Sequence, residues 1–489
     1  MSRDRNMQPD HGESYAEAKA ALSHIDGDAW SMSRRRFLQG ALVASALGGI
    51  KLALPSFLQS AAASVTSDNV LVVLLAGGGI DMLNVILPSA QFGQYQTLRP
   101  GLALQQSETL PLGANLLVNN QLPYLKSLYD AGQVAVLQNI GYANSSFSHF
   151  DSQAIWMGAR ANVNTNIGFT DGWVGRWADG VAGDGLAIVN VGDQVPLHFI
   201  GRNRRSLSLP SNLSSAFGAQ AGGTYEANLY AAVRAMAGTT GLGAIGDAMA
   251  GVAPVAMDMG ALLTPAYAPL GTLDHLARDM TLAASLINLN TGIRVIGVEY
   301  DYHDTHDNEA GVLTENLGYL DSGLRAFYST LSPAMQSKVT ILTLSEFGRT
   351  ARSNNSAGCD HGTVSVQLAI GARVKGGDYG TYASLTDLQN SAQMKFTTSS
   401  MDFRVPMATM VGTWLGGDIN DVFAGTVSTL DLFRPPTEAT PVPVEQAPPG
   451  ASLAVNQPID ATNLQPAHRL SVSEAGALSA AYGAVAAAR

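Results

Sequence analysis

The chain has 489 residues, a formal net charge of -11 at pH 7 and one cysteine, Cys359. Its length is enough for two or three average domains, or for one large α/β domain with insertions. The negative charge gives no reason to expect a nucleic-acid partner, and a single thiol excludes both an intrachain disulfide and a thiolate metal cluster.

The first 63 residues have the pattern of a twin-arginine export signal. Residues 33–38 read Ser-Arg-Arg-Arg-Phe-Leu after a polar, disordered extension, and a weakly apolar segment follows at 40–50. Ala61 and Ala63 then form an A-x-A cleavage site. The apolar segment is too short for a permanent transmembrane span, and an amphipathic core helix is the alternative. We therefore expect a protein that passes the Tat translocon already folded and is periplasmic or secreted.

The domain predicted over residues 64–434 begins with a fully apolar strand at 69–75, followed by three glycines at 77–79 and by Asp81. Glycines let the backbone turn tightly and approach a ligand. The spacing matches neither a dinucleotide fingerprint nor a Walker loop, since no Lys-Ser/Thr follows. Asp81 is therefore a candidate site residue just past a strand, although an Asp after glycines is also common in plain turns.

A second candidate segment follows a short strand at 134–138. Ser148 is predicted to cap a helix that extends to about Gly158, with Asp151 in place of the capping-box Glu. His149 comes directly after this serine.

The middle of the chain contains the weakest signals. Residues 202–270 are rich in Ala, Gly, Ser and Met, and we interpret them as an inserted cap region that includes a helix at 224–236. Hydrophobic periodicity and turn residues predict the remaining elements. They are helices at 122–128, 273–289, 312–331 and 405–415, a short helix capped by Asp171, a strand at 186–191 and an edge strand at 196–200.

Two further strands end in polar clusters. The strand at 294–300 is followed, within seven residues, by two imidazoles and three carboxylates that include Asp304 and His306. Histidine beside carboxylates is typical of metal ligands and acid–base groups, and a solvated turn is the alternative. The strand at 339–344 is apolar enough for the centre of a parallel sheet, and Glu346 and Arg349 follow it.

A last cluster, Asp360 with His361, precedes a strand at 364–371. The alternation of strands and helices predicts an α/β fold with a mostly parallel central sheet and helices on both faces. Side chains just past the carboxyl ends of such strands meet at one edge of the sheet, so we expect one shared site. An N-cap acid followed by a surface loop is the alternative for Glu346 and the residues after it. Residues 435–489, Pro-rich and then polar with an Ala-rich end, are interpreted as a tail.

The candidate site offers only oxygen and nitrogen donors. Such a set suits a divalent metal, zinc, manganese or calcium, of unknown number. A metal would bind a phosphoryl or sulfuryl oxygen, a hydroxyl at a helix N-terminus would attack, and an arginine would hold the remaining oxygens. The candidate metal ligands are Asp81, Asp304, His306, Glu346, Asp360 and His361, and the candidate catalytic residues are Ser148, His149 and Arg349.

Several motifs of the chain resemble those of the DUF1501 family of exported twin-arginine proteins, which is grouped with the alkaline phosphatase and sulfatase superfamily. The region of resemblance covers about residues 65–434. The motifs are GGGIDMLN at 77–84, SHF at 148–150, GWVGR at 172–176, HDTH at 303–306, SEFGRT at 345–350 and DHG at 360–362.

The resemblance implies an alkaline phosphatase-like sheet, two metal positions and a Ser/Thr or formylglycine nucleophile. Ser148 would take the nucleophile position, and the ligands would be Asp81, Asp304, His306, Glu346 and His361. Three features depart from the superfamily pattern: the Asp-x-His spacing at 304–306, a glutamate where an Asp-His pair is typical, and the absence of a sulfatase context around the serine.

These observations predict a metal-dependent hydrolase of phosphate or sulfate esters whose substrate is a small molecule or a polymer. Two alternatives remain open: a non-catalytic exported binding protein with the same fold, and a protein needed to assemble a surface or secreted polymer.

Overall fold

The structure is a computed structural model. It describes residues 68–160, 170–181, 187–213, 262–389 and 394–443, apart from 205, 272 and 398, together with isolated positions between 231 and 260. The chain divides into two compact units, one formed by residues 1–50 and 218–258 and the other by 51–217 and 259–489. The sheets and the candidate site all belong to the second unit.

The second unit is organised around a nine-stranded sheet with the strand order β11-β5-β10-β9-β1-β8-β6-β7, and β12 also pairs with β5. The strands of this sheet are β1 (Val70–Ala76), β5 (Val134–Gly141), β6 (Ile188–Val191), β7 (Leu207–Leu209), β8 (Val295–Tyr300), β9 (Val339–Leu344), β10 (Val364–Ile370), β11 (Gly377–Tyr379) and β12 (Met401–Asp402). A separate three-stranded sheet contains β2 (Ile86–Pro88), β3 (Thr109–Leu112) and β4 (Leu116–Asn119).

The large sheet is parallel except for one strand. β1 pairs in parallel with both β8 and β9, whereas β10 is antiparallel to β9 and to β5. The chain therefore leaves β9 and re-enters the sheet through β10 at the same edge. This reversal brings residues 345–363 to the edge where the parallel strands β1, β5 and β8 also end.

Helices flank the sheet. They are α1 (Met82–Val85), α2 (Phe92–Leu98), α3 (Pro123–Asp130), α4 (His149–Gly158), α5 (Trp173–Asp179), α6 (His275–Asn288), α7 (Glu309–Thr330), α8 (Pro333–Gln336), α9 (Arg404–Thr409) and α10 (Ile419–Val422). The strands β1 and β10 are buried along their whole length because helices or loops cover both of their faces. The main hydrophobic core includes side chains of β1, α4, α5 and α9. Among the described residues, no helix has both the length and the apolar composition needed to span a membrane.

The predicted α/β architecture with a mostly parallel sheet is confirmed, and the strands expected near 69–75, 134–138, 186–191, 294–300, 339–344 and 364–371 are present. The edge strand expected at 196–200 is wrong, because Leu197–Phe199 form a 3-10 turn and β7 takes the edge. The helix expected at 405–415 begins as α9 and continues as a π-helical turn over Met410–Trp414.

The prediction that Asp171 caps a helix is also wrong. Gly172 precedes α5 as its N-cap, and the Asp171 carboxylate instead forms ion pairs with Arg160, Arg176 and Arg202. The export segment, most of the helix at 224–236 and the end of the tail lie outside the described residues. The tail limit remains a prediction, and residues up to 443 still contact the domain: the Tyr124 hydroxyl donates to the Pro443 carbonyl at 2.7 Å.

Candidate metal centre

The glycine loop after β1 lets the other segments of the site approach closely. Gly78 and Gly79 have φ values of +105° and +72°. A Cβ atom on Gly78 would lie 2.6 Å from the backbone nitrogen of Asp304, and one on Gly79 would overlap the ring of Phe347. Only glycine satisfies both the backbone conformation and the space at these positions. The loop thus brings the segment after β8 and the segment after β9 against the end of β1.

Asp304 is the central carboxylate of the site. Its Oδ1 accepts a hydrogen bond from Arg349 Nη2 at 2.8 Å and lies 3.0 Å from His306 Nε2 and 3.3 Å from His361 Nε2. Its Oδ2 lies 3.3 Å from His149 Nε2. Three imidazoles from three different segments therefore point a ring nitrogen at the same carboxylate.

His361 is oriented by its other ring nitrogen. Its Nδ1 lies 2.7 Å from the Phe147 carbonyl oxygen. A carbonyl can only accept, so Nδ1 carries a proton, and Nε2 is the ring nitrogen that faces the site. His306 Nε2 lies 2.9 Å from this Nε2. A backbone carbonyl on one ring nitrogen, like that of Phe147 here, is a usual way in which a protein fixes the orientation of a metal-binding imidazole.

Glu346 orients His149. The Oε1 of Glu346 lies 2.8 Å from His149 Nδ1 and also accepts from the Gly78 backbone N–H at 2.8 Å and from Gln153 Nε2 at 3.2 Å. The glutamate is fully buried, directly after β9. His149 is the first residue of α4, with Ser148 as the N-cap. The predicted cap and the predicted end of this helix at Gly158 are both confirmed.

The charges of the site reinforce one another. Burial raises the pKa of Asp304, but hydrogen bonds from His149, His306, His361 and Arg349 outweigh this effect and hold it well below its usual range. Burial likewise opposes ionisation of Glu346, yet the bond to His149 lowers its pKa overall. Both carboxylates are therefore ionised at neutral pH.

The same contacts raise the pKa of two imidazoles of the site. Burial lowers the pKa of His149, but Asp304 and Glu346 raise it to about 9. The hydrogen bond to Asp304 raises the pKa of His306. The site thus holds protons that a bound cation would displace.

The donor set fits a divalent metal. One ligand atom each from His149, Asp304 and His361 lies within 4.8 Å of the other two. The buried Oε2 of Glu346 has no hydrogen-bond partner among the described residues. Two imidazoles with a carboxylate are ligands that zinc and manganese accept, whereas calcium prefers oxygen alone.

His306 and Asp360 lie beside this group. His306 Nδ1 is 3.2 Å from Asp360 Oδ1, and Asn354 Nδ2 donates to the same oxygen at 3.2 Å. Asp360 is thus placed to orient His306 in the way that Glu346 orients His149. The structure therefore brings four predicted site residues together with Asp304 and His361: His149, His306, Glu346 and Asp360.

Arg349 is placed differently from the prediction that it holds substrate oxygens. Its guanidinium is 2% exposed and donates to the Gly79 carbonyl at 2.6 Å, to the Cys359 carbonyl at 3.0 Å and to the His303 carbonyl at 2.9 Å, as well as to Gly78 and Asp304. These bonds occupy its donors, so Arg349 holds the loops of the site and the central carboxylate in place.

Asp81 belongs to a second buried cluster. Its carboxylate forms a two-bond ion pair with the Arg99 guanidinium, whose Nη2 lies 2.9 Å from Oδ1. The Glu309 carboxyl and the Cys359 thiol lie within 4.8 Å of it. Burial and the charge of Asp81 raise the pKa of Glu309 well above its usual range. The cation closest to Asp81 in the structure is therefore an arginine of the chain itself.

Sequence reasoning missed Arg99, Glu309 and Gln153. Gln153 follows His149 by four residues on α4, so the helical repeat places both on one face and offers a signal that could have found it. Arg99 lies 18 residues after Asp81, and Glu309 lies at the start of α7. Neither residue belongs to a motif that the sequence analysis recognised. His303, named as part of the cluster after β8, is buried against the Tyr300 ring, and burial lowers its pKa to about 3.

Comparisons with known proteins give one family match and several distant structural likenesses. The sequence model of a family described as "Protein of unknown function (DUF1501)" matches residues 136–409, more than half of the chain. No curated protein sequence matches. Among solved structures, the chain is similar to the lipoteichoic acid synthase LtaP of Listeria monocytogenes, with 9% identity, coverage of 78% of this chain and 79% of that one, and a TM-score of 0.35.

Two further structures show a similar degree of likeness. The C-terminal periplasmic domain of EptC from Escherichia coli, in complex with Zn, is 9% identical over 81% of this chain and 97% of that one, with a TM-score of 0.35. The sulfatase PsFucS1 from Pseudoalteromonas sp. is 10% identical over 82% and 77%, with a TM-score of 0.33. These likenesses are distant and concern the fold alone.

Proposed function

Because this chain belongs to the DUF1501 family and directs three imidazoles at one ionised carboxylate, we propose that it is a metal-dependent hydrolase of phosphate or sulfate esters. His149, Asp304 and His361 would hold the metal, with His306 beside them. When bound, a divalent metal supplies Lewis-acid polarisation of an ester oxygen and lowers the pKa of a hydroxyl. The observation that carries the proposal is that the Nε2 atoms of three histidines all lie within 3.3 Å of the Asp304 carboxylate.

The chain's own groups prepare the site for this role. The Phe147 carbonyl fixes the tautomer of His361, and Glu346 fixes the ring of His149. Arg349 forms an ion pair with Asp304 at 2.8 Å and neutralises part of its charge. The site therefore keeps its geometry without relying on the cation, which is the preorganisation that catalysis requires.

Ser148 remains the proposed nucleophile. Among the described residues, its Oγ accepts one long bond, from the Asp151 backbone N–H at 3.4 Å, and the residue is half-buried next to His149. A weak cap leaves the hydroxyl available, and the amides at the start of α4 would stabilise negative charge on it.

The test compares wild-type protein with three variants against phosphate and sulfate esters supplied with zinc or manganese. Ser148→Asn keeps a capping side chain but lacks the hydroxyl, so turnover should disappear while stability and metal content persist. His361→Gln should lose both metal and turnover. His275→Gln, at the first residue of α6, where the ring packs on Tyr319, serves as the control for histidine removal. Turnover by Ser148→Asn at the wild-type rate would remove Ser148 as the nucleophile.

A binding role without catalysis is the second candidate. It is favoured by one observation: both arginines near the site, Arg99 and Arg349, are used internally and neither donates into open space. Metal bound by the wild type, with no turnover of any ester in the panel, would establish this alternative.

We also propose export by the twin-arginine pathway, which would place the folded protein in the periplasm or outside the cell. The proposal rests on Arg34, Arg35 and the apolar segment at 40–50.

A further inference from the structure

A phosphoryl or sulfuryl group carries negative charge on its terminal oxygens, and a site that binds it needs a cation directed at open space. Arg349 does not meet this need, because its donors are occupied by four backbone carbonyls and Asp304. A second positive group at the same edge of the sheet would act together with the proposed metal in binding such an anion.

Lys395 lies where such a group is needed. Its Nζ is 3.4 Å from the centroid of the Phe147 ring, and Phe147 is the residue whose carbonyl holds His361. The Phe147 side chain is 38% exposed, and Lys395 is half-buried beside it. Asp360, next to His361, is close enough to act on the charge of Lys395.

The backbone around Lys395 is attached to the loop between β9 and β10. The Met394 carbonyl accepts from the Ala351 N–H at 3.2 Å, and the Phe396 carbonyl accepts from Thr363 Oγ1 at 2.8 Å. Both attachment points flank the segment that carries Asp360 and His361. The position of Lys395 is therefore fixed relative to the metal ligands by its two neighbours.

Among the described residues, no carboxylate forms an ion pair with the Lys395 ammonium. No carboxylate oxygen of the described residues lies within 4.0 Å of Lys395 Nζ. Its contact is the face of an aromatic ring, which attracts a cation without neutralising it. Burial lowers the pKa of Lys395 overall, and Asp360 opposes that shift. A partly desolvated, unpaired cation binds an anion more strongly than a solvated one does.

We propose that Lys395 binds a terminal oxygen of the substrate's phosphoryl or sulfuryl group and makes the site specific for anionic monoesters. This inference rests on the proposed function. It assigns to Lys395 the role that the sequence suggested for Arg349, and it places the substrate between the Phe147 ring and the metal ligands.

The test measures binding of inorganic phosphate and inorganic sulfate by calorimetry, with and without zinc. Lys395→Met keeps the apolar stem on Phe147 but removes the charge, and loss of a charge-assisted bond should weaken anion binding about tenfold or more. Lys395→Arg should retain binding to within about threefold because the charge remains. Lys375→Met is the matched control, since Lys375 pairs with Asp431 on the surface.

Zinc content and thermal stability should be the same in all four proteins. Where turnover is present, Lys395→Met should raise KM for an anionic aryl phosphate and leave the rate with a neutral aryl acetate unchanged. Zinc-loaded Lys395→Met that binds both anions as tightly as the wild type would overturn the inference, as would a wild type that binds neither. Absence of ester turnover in a wild type that binds phosphate through Lys395 would instead contradict the proposed hydrolase activity alone.

Discussion

Asp81 is the site residue whose role the structure changes most, and substitution tests the change directly. The Asp81 and Arg99 side chains are 1% and 0% exposed, and Arg99 also donates to the Thr350 carbonyl at 2.7 Å and the Ala351 carbonyl at 3.1 Å. Asp81→Asn leaves the guanidinium buried without its charge partner. Breaking a buried pair from one side costs about 3–5 kcal/mol of folding free energy.

Glu309 decides where in that range the loss falls. In the wild type, burial and the charge of Asp81 keep its pKa well above the usual range, so the carboxyl is neutral. Without the Asp81 charge, Glu309 ionises more readily and partly compensates Arg99. We therefore expect about 3 kcal/mol for Asp81→Asn, about 5 kcal/mol for Asp81→Asn with Glu309→Gln, and under about 1 kcal/mol for Glu309→Gln alone.

The assay is urea unfolding of the four proteins at pH 7, with zinc content measured on the same samples. Burial raises the pKa of Asp81, but Arg99 lowers it overall, so the pair's contribution is present above the unfolded pKa. The difference between wild type and Asp81→Asn should accordingly shrink as the pH falls below about 4. Zinc content should stay unchanged. An Asp81→Asn protein with wild-type stability and no zinc would refute this account and restore Asp81 as a ligand.

Three further predictions concern the site and export. Because His149 must release a proton whose pKa is raised to about 9, zinc affinity measured by calorimetry should rise by up to about tenfold per pH unit from pH 7 and level off above 9. The stabilising charge on His149 in the metal-free protein is complete below its ordinary pKa of 6.5 and is lost as the pH rises through 9. Gly348→Ala should destabilise the protein by about 2 kcal/mol or more and weaken zinc binding, because the added methyl would overlap the Val364 carbonyl. Gly311→Ala on α7 is the control: its methyl meets no neighbour, so it should stabilise the protein by about 0.5–1 kcal/mol. Chemical unfolding measures both changes. Replacing Arg34 and Arg35 by Lys should leave an uncleaved precursor in the cytoplasm, and mature protein found outside it by fractionation would contradict the export signal.

The local chemistry of the chain was sufficient to predict six strands of the large sheet and the start of α4. A fully apolar run such as Val70–Ala76, or an uncharged β-branched and leucine run such as Val339–Leu344, is typical of a strand in a sheet that is covered on both faces. Ser148 has the side chain that a helix N-terminus requires, and the helix begins after it. The polar residues after β5, β8 and β9 also meet, because parallel strands end at one edge, whereas Asp81 after β1 joins a separate cluster.

The antiparallel direction of β10 could not be derived from the sequence. The apolar run at 364–370 fits either direction, so nothing local shows that Asp360 and His361 enter the sheet at the edge that β9 has just left. The edge strand expected at 196–200 failed for a related reason: a short apolar segment becomes a strand only where a neighbour offers unpaired backbone groups, and β6 offers its free edge to Leu207–Leu209 instead.

Residue types alone predicted which side chains gather, whereas the tertiary structure decided what each of them contacts. A buried charge takes the nearest opposite charge that packing brings to it. Asp81 pairs with Arg99, and Arg349 binds loop carbonyls and Asp304. The local sequence contains no signal that predicts either partner. Lys395 is the converse case: an unremarked lysine becomes a candidate substrate contact because folding places its ammonium on Phe147, beside His361.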